Sequence, residues 1–132
     1  MVTHAEFEDL VVRFTDAFNR DDLDRVMSFF ADDAVYDEFN GKQSRGVAAI
    51  RAAFAPQFAG VFGKIRFASE DLFVDSVSGK ALIRWLCTIE REGRVRGWRG
   101  LDILHVANGR LVEKQTYAKA ERLALSEVPA KS

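Results

Sequence analysis

Apolar residues recur at helical spacing through the first part of the chain and then give way to strand-like alternation. Phe7, Leu10, Val11, Phe14, Ala17 and Phe18 fall three and four residues apart, the signature of one buried stripe on a helix over about residues 4–19. Thr3 and Glu6 stand before that stripe as a capping-box pair. Asn19-Arg20-Asp21-Asp22 breaks the pattern, and Asp22 is a favourable cap for a short second helix carrying Leu23, Val26, Met27, Phe29 and Phe30. Ala31-Asp32-Asp33 ends it, and Ala34 to Phe39 reads as a strand running into the Asn40-Gly41 turn. Gly46 opens a third helix, Val47 to about Ala55, with Pro56 at its end or in its last turn.

The remainder reads as sheet. Val61 to Asp75 is a long strand region, bent near Ala68-Ser69. Ala81 to Glu92, Arg94 to Ala107 and Leu111 to Ala120 follow, joined by turns at Ser78-Gly79, Gly93 and Asn108-Gly109. Helices followed by hairpin-connected strands predict an α+β domain, with the helices gathered on one face of a curved antiparallel sheet. Ile83, Trp85, Cys87 and Ile89 are apolar on one parity, while Leu82 and Leu86 are apolar on the other. A strand that is apolar on both sides is covered on both sides. Helices supply one cover, and a second copy of the chain packed on the outer sheet face is the simplest other one. The expectation is therefore a homodimer.

At 132 residues the length allows one domain, with a core over about residues 5–120 and a polar, flexible tail over 121–132. Nineteen basic residues against twenty acidic ones leave a net charge of −1, which offers no footprint for nucleic acid. The one locally basic stretch, Arg91, Arg94, Arg96 and Arg99, surrounds a hairpin and reads first as a solvated strand face. Cys87 is the single cysteine, so no internal disulfide is possible, and His4 and His105 alone give no zinc-type ligand set. No apolar run approaches a membrane-spanning length, and the start lacks a charged leader followed by an apolar block. These points lead to expectations of no metal, no cofactor, no membrane and a cytoplasmic location. Eleven phenylalanines against two tyrosines and two tryptophans suit dry walls, because phenylalanine carries no polar handle.

Three segments, LVVRFTDAFNRDDLDRVMSFFADDAVYDEF, SRGVAAIRAAF and GLDILHVANGRLVEKQTYAKA, resemble the nuclear transport factor 2-like superfamily. Its ketosteroid isomerase and SnoaL-like polyketide cyclase branches are the most similar. The resemblance implies a cone: three helices on a highly curved mixed sheet with a pocket inside, and an outer sheet face that often makes a dimer. In the isomerases a carboxylate base ends the first strand, which falls on Glu38, and a protonated aspartic acid in an apolar strand falls on Asp102. The oxyanion tyrosine of that family is replaced by Phe14, and its supporting tyrosine by Phe54. Loss of an oxyanion donor costs about 10²–10³ in rate, which argues against steroid-type isomerisation. The epoxide hydrolase Asp-Arg-Asp set retains only Arg84, with Leu86 and Thr116 in place of its aspartates. Fold alone does not settle function in so varied a superfamily.

Asp102 carries the sharpest signal, because Leu101 and Ile103 flank it and a buried carboxylate must pair, be hydrogen-bonded or stay protonated. Lys114 is its natural partner under the family register, which points Val112, Lys114 and Thr116 inward, whereas simple alternation buries Leu111 and Tyr117. Glu38 has the same conflict: matching turns Tyr36 and Glu38 inward, and alternation turns Val35 and Phe39 inward. The expected catalytic set is Asp102, Glu38 and Lys114. The expected pocket wall is Phe14, Phe18, Tyr36, Phe54, Trp85, Cys87, Trp98 and Thr116. Two functions follow from these residues: cofactor-free acid/base catalysis on an apolar carbonyl compound, or a non-catalytic module that binds a hydrophobic ligand or a protein. A pure dimerisation domain is a third.

Overall fold

The computed structural model describes residues 2–119. In chain order the elements are α1 (His4–Asn19), α2 (Leu23–Ser28), β1 (Phe30–Asp37), β2 (Gln43–Arg45), α3 (Val47–Phe58), β3 (Lys64–Asp75), β4 (Lys80–Arg91), β5 (Arg94–Ala107) and β6 (Arg110–Lys119). The strands form one six-stranded sheet in the order β2-β1-β6-β5-β4-β3. All neighbours are antiparallel except β1 and β6, which run parallel, so the sheet is mixed. The expected tail over 121–132, and the expected strand end at Ala120, lie outside the described residues. No helix among the described residues is long and apolar enough to cross a membrane.

Local signals account for most element ends. The Thr3 hydroxyl accepts the Glu6 amide at 3.1 Å, and the Glu6 carboxylate accepts the Thr3 amide at 3.1 Å, closing the capping box. Asp22 caps α2 through the Arg25 amide at 3.0 Å. Pro56 lies inside the last turn of α3, which runs on to Phe58.

Several elements differ from the sequence reading, among them α3, which runs past Ala55, and β1, which ends at Asp37 rather than Phe39. Helix α2 stops at Ser28, and Phe30 belongs to β1 although its spacing from Val26 is helical. The Phe29 carbonyl accepts the Leu111 amide at 2.8 Å, and Phe30 pairs with Leu111, so partners from the far end of the chain draw this segment into the sheet. The strand therefore begins at Phe30 rather than at Ala34. A three-residue edge strand, β2, has no counterpart in the sequence reading, and β3 begins at Lys64 rather than Val61.

Helix α1 lies along the sheet with Phe7 and Val11 fully buried. With Phe30, Ile50, Leu104 and Leu111 these residues form the solid part of the core. Asn19, which the sequence marks only as a helix breaker, tethers the end of α1 to the edge strand β3. Its amide donates to the Phe67 carbonyl at 2.8 Å and its carbonyl accepts the Phe67 amide at 2.7 Å. The side chain thus satisfies backbone groups that β3 turns away from β4. The outer sheet face carries half-buried Leu82, Leu86, Leu101 and Ile103, with Phe73 and Tyr117 exposed. Exposure of Tyr117 overturns the alternation argument for burying it.

Asn19→Ala would strip partners from two backbone groups of β3. A loss of about 2–3 kcal/mol in urea-unfolding free energy is expected, against a few tenths for an exposed helix substitution.

Candidate functional site

Between α1, α3 and the concave side of the sheet lies a cavity of about 420 Å³. Its existence follows from two tiers of phenylalanine. Phe7 and Phe30 are buried in the solid core, while Phe14, Phe18 and Phe54 stop short and line the void. The lining aromatics hold one another in place: Phe14 and Phe18 meet edge-on at 5.1 Å, Phe18 and Phe54 at 5.2 Å, and Tyr36 stacks on Phe54 at 4.7 Å. Across the cavity, β4 contributes Trp85 and Cys87, and β3 contributes Ile65 and Phe67, whose ring meets Trp85 edge-on at 5.1 Å. Phe39, Phe62 and Trp98 also line it but are 60%, 50% and 38% exposed, so they form its mouth.

Asp102, Lys114, Thr116 and Glu38 bring polar chemistry to this wall, and Thr15, Asn40 and Gln57 also border it. Asp102 and Lys114 are both buried and form an ion pair at 3.0 Å. The same Asp102 oxygen accepts the Thr116 hydroxyl at 2.6 Å, and the other accepts the Trp85 indole N–H at 3.1 Å. Lys114 also donates to Thr116 at 2.7 Å, and its ammonium sits 4.6 Å from the centre of the Tyr36 ring. An ammonium has three hydrogens, and two acceptors, Asp102 and Thr116, are present among the described residues. The third hydrogen has no oxygen partner there. Burial works against the charged lysine, but attraction to Asp102, Tyr36 and Glu38 and the hydrogen bond to Asp102 outweigh it, holding the ammonium above the usual lysine value. Burial, with help from Asp102 and Glu38, raises the Tyr36 hydroxyl, so it stays protonated. Burial pushes the Cys87 thiol up to about 11, consistent with a wall residue rather than a nucleophile.

Two details of the sheet bring the pair together. Between His105 and Val106 the β5–β6 register shifts: Glu113 pairs with His105 and Leu111 with Val106, leaving Val112 as an extra residue. Leu111 and Lys114 are therefore both buried although they lie three positions apart. The family register was right for Lys114 and Thr116, alternation was right for Leu111, and the bulge reconciles them. Gly100 is the second detail. A Cβ there would collide with the Trp85 indole and the Tyr117 carbonyl, so glycine makes the room in which Trp85 reaches Asp102.

Every residue expected in the catalytic set or the pocket wall borders this one cavity. Glu38 lies just past β1, half-buried, with the Ser44 hydroxyl 3.5 Å from its carboxylate. Tyr36 is buried and Phe39 exposed, which decides the β1 conflict in favour of the matched register. Arg84 is exposed on the outer face, its cross-strand neighbour being Leu101, so the epoxide hydrolase set is not assembled. Ile65, Phe67 and Phe62 are wall residues that the sequence reading missed. The Ile65–Phe67 alternation was present, but nothing local marked which parity faced inward. Among the described residues, no group of three or more His, Cys, Asp or Glu side chains is placed to hold a metal ion.

The model of the SnoaL-like domain matches residues 11–114, most of the chain. The chain belongs to the SnoaL-like family. Solved structures share its fold at low identity. A nuclear transport factor 2-like protein of unknown function from Mesorhizobium loti is 22% identical, with 91% of this chain and 96% of that one covered and a TM-score of 0.76. A candidate polyketide cyclase from Xanthomonas campestris is 20% identical over 86% of this chain and 90% of that one, with a TM-score of 0.72. TerC, co-crystallised with polyporic acid, is 12% identical over 86% of this chain and 92% of that one, with a TM-score of 0.73. No curated protein matches the chain. The helices and mixed sheet of this SnoaL-like chain are thus those that its resemblance implied.

Breaking the buried pair from either side strands a charge. Asp102→Asn or Lys114→Met is expected to lower the unfolding free energy by about 3–5 kcal/mol, and Asp102→Leu combined with Lys114→Met by less than either alone. The pH dependence has a definite sign. Because folding raises the Lys114 pKa, its stabilisation is complete below the unfolded lysine value of about 10.4 and is lost as pH rises through the folded value. Urea unfolding from neutral to alkaline pH should therefore show the advantage over Lys114→Met shrinking only above about pH 10.4.

Proposed function

We propose that this SnoaL-like chain binds a compact, apolar, cyclic or aromatic molecule bearing a carbonyl group and transfers a proton beside that carbonyl without a cofactor. One observation carries the reading. The Lys114 ammonium has a hydrogen that Asp102 and Thr116 do not take, and it lies in the wall of an aromatic-lined cavity that Glu38 also borders. A cavity of about 420 Å³ suits a small organic molecule. The neighbour co-crystallised with polyporic acid is consistent with a guest of that kind.

In the proposed reaction the substrate carbonyl oxygen accepts the free Lys114 hydrogen and Tyr36 flanks it. Glu38 removes a proton from the adjacent carbon, and the electron pair moves onto oxygen as an enolate, which the lysine charge stabilises in a site of low dielectric. Where the substrate carries a β,γ-double bond, the proton held on Glu38 returns to the γ-carbon of the dienolate as C=O re-forms, which completes an isomerisation. Where the β-carbon carries a leaving group, the enolate pair re-forms C=O and makes the α,β-double bond, the bond to the leaving group breaks with its electron pair, and the proton from Glu38 goes to the departing group. Asp102 is a positioning residue in this scheme: its two oxygens already accept three donors, and its task is to fix the lysine. That full acceptor set also favours a second reading, in which the cavity only binds its guest and Glu38 does no chemistry.

Deuterium uptake next to the carbonyl of 1-tetralone and 2-tetralone in D2O separates the two readings. Catalysis predicts uptake above the buffer rate, reduced by about 10²-fold or more in Glu38→Gln with binding retained. Lys114→Met should impair both. Tetralone binding with no uptake above buffer would leave the binding module.

We also propose that a second copy of the chain covers the outer sheet face, where Leu82, Leu86, Leu101 and Ile103 are only half-buried and Phe73 and Tyr117 are exposed. Sedimentation equilibrium should then give twice the chain mass, and Leu101→Arg should return it to the mass of one chain.

A further inference from the structure

The hairpin joining β4 and β5 continues past the cavity mouth with three arginines on the cavity side of the sheet. Arg91 and Arg94 are directly opposed, and Arg96 is the next residue on the same face of β5. That parity also holds Ile89 and Trp98, which line the cavity. Arg96 stands directly opposite Ile89 at the rim, and Arg91 and Arg94 lie two positions, roughly 7 Å at about 3.3 Å per residue, farther out. Gly63 packs its backbone against the Glu90 carbonyl and the Arg91 Cβ, which sets Arg91 beside the loop that brings Phe62 to the mouth.

Three arginines crowd one face of a single hairpin. Arg13, Arg20, Arg51, Arg66 and Arg99 each pair with a carboxylate. Arg91, Arg94 and Arg96 are exposed and have no carboxylate within ion-pair distance among the described residues. Glu90 stands opposite Val95 on the other face, and Glu92 sits in the turn. Like charges directly opposed across two strands repel, so the hairpin holds this cluster at a cost that a bound anion would relieve. Guanidinium groups suit that task because they grip carboxylate, sulfonate or phosphate oxygens through two parallel hydrogen bonds.

We propose that Arg91, Arg94 and Arg96 form an anion subsite at the mouth, so that the preferred guest is an amphiphile: an apolar ring inside the cavity and an acidic group at its solvent end. The inference rests on reading the cavity as the ligand site. It adds a specificity element that the proton-transfer chemistry does not need.

Two fluorescent probes with one skeleton test it. 8-Anilinonaphthalene-1-sulfonate carries an acidic group, and N-phenyl-1-naphthylamine lacks it. Each is titrated into the natural chain and into Arg94→Gln/Arg96→Gln at low and high ionic strength. The sulfonate probe should bind the double variant about fivefold more weakly at low salt, the gap should close at high salt, and the uncharged probe should be unaffected. Equal affinity of the sulfonate probe for both proteins, or equal weakening of both probes, overturns the subsite and leaves the cavity reading standing. Failure of the sulfonate probe alone to bind the natural chain overturns the subsite, and failure of both probes overturns the cavity reading as well.

Discussion

A lysine ammonium and a carboxylate, buried together against a ring of aromatic side chains, set the terms for the rest of this fold. Such a pair is stable only when the surrounding hydrogen bonds replace what water supplied. Here the indole of Trp85, the hydroxyl of Thr116 and the ring face of Tyr36 provide that replacement. Each depends on a feature elsewhere. Trp85 needs the missing side chain of Gly100, Lys114 needs the bulge opposite His105, and Tyr36 needs β1 lying parallel beside β6. The pair is thus a local arrangement imposed by long-range pairing.

The same requirement explains the hollow. Phenylalanine fills space without asking for hydrogen bonds, so the helices can present it to the cavity at little polar cost. Phe14, Phe18 and Phe54 brace one another edge-to-face, which lets them stand as a wall rather than collapse across the gap. Because Phe14 and Phe54 carry no hydroxyl, hydrogen-bond donation to a guest falls to the β1 and β6 side, through Tyr36 and Lys114. That shift separates this cavity from the isomerase pattern, and in the reaction we propose it would move the electrophile from a neutral acid to a cation.

The charge layout of the described residues fits the proposed guest entering apolar end first. Deep in the cavity Lys114 offers a hydrogen-bond donor whose charge is already balanced by Asp102, so it suits an oxygen without demanding a full negative charge. Past the mouth the hairpin arginines are unbalanced and solvated. A neutral oxygen inside and an acidic group outside match the two environments, because a strongly hydrated anion loses less by staying at the surface.

Much of the architecture was legible along the chain. Helix α1 with its capping box, the Asp22 cap and the hairpin turns rest on contacts between near neighbours, and these local patterns determined them. The parity of Trp85, Cys87 and Asp102 was legible for the same reason, since alternation within one strand needs no partner. The end of α2 was not. Val26, Phe29 and Phe30 keep helical spacing, and Phe30 leaves the helix only because Leu111, far along the chain, offers a strand to pair with. The inward turn of Lys114 was likewise undecidable from alternation, because an extra residue in β6 shows itself only against its partner β5. By itself the sequence determined which side chains were available and which short elements they favour. Only the tertiary structure decided which of them share the cavity, because register and bulges belong to pairs of strands and never to one.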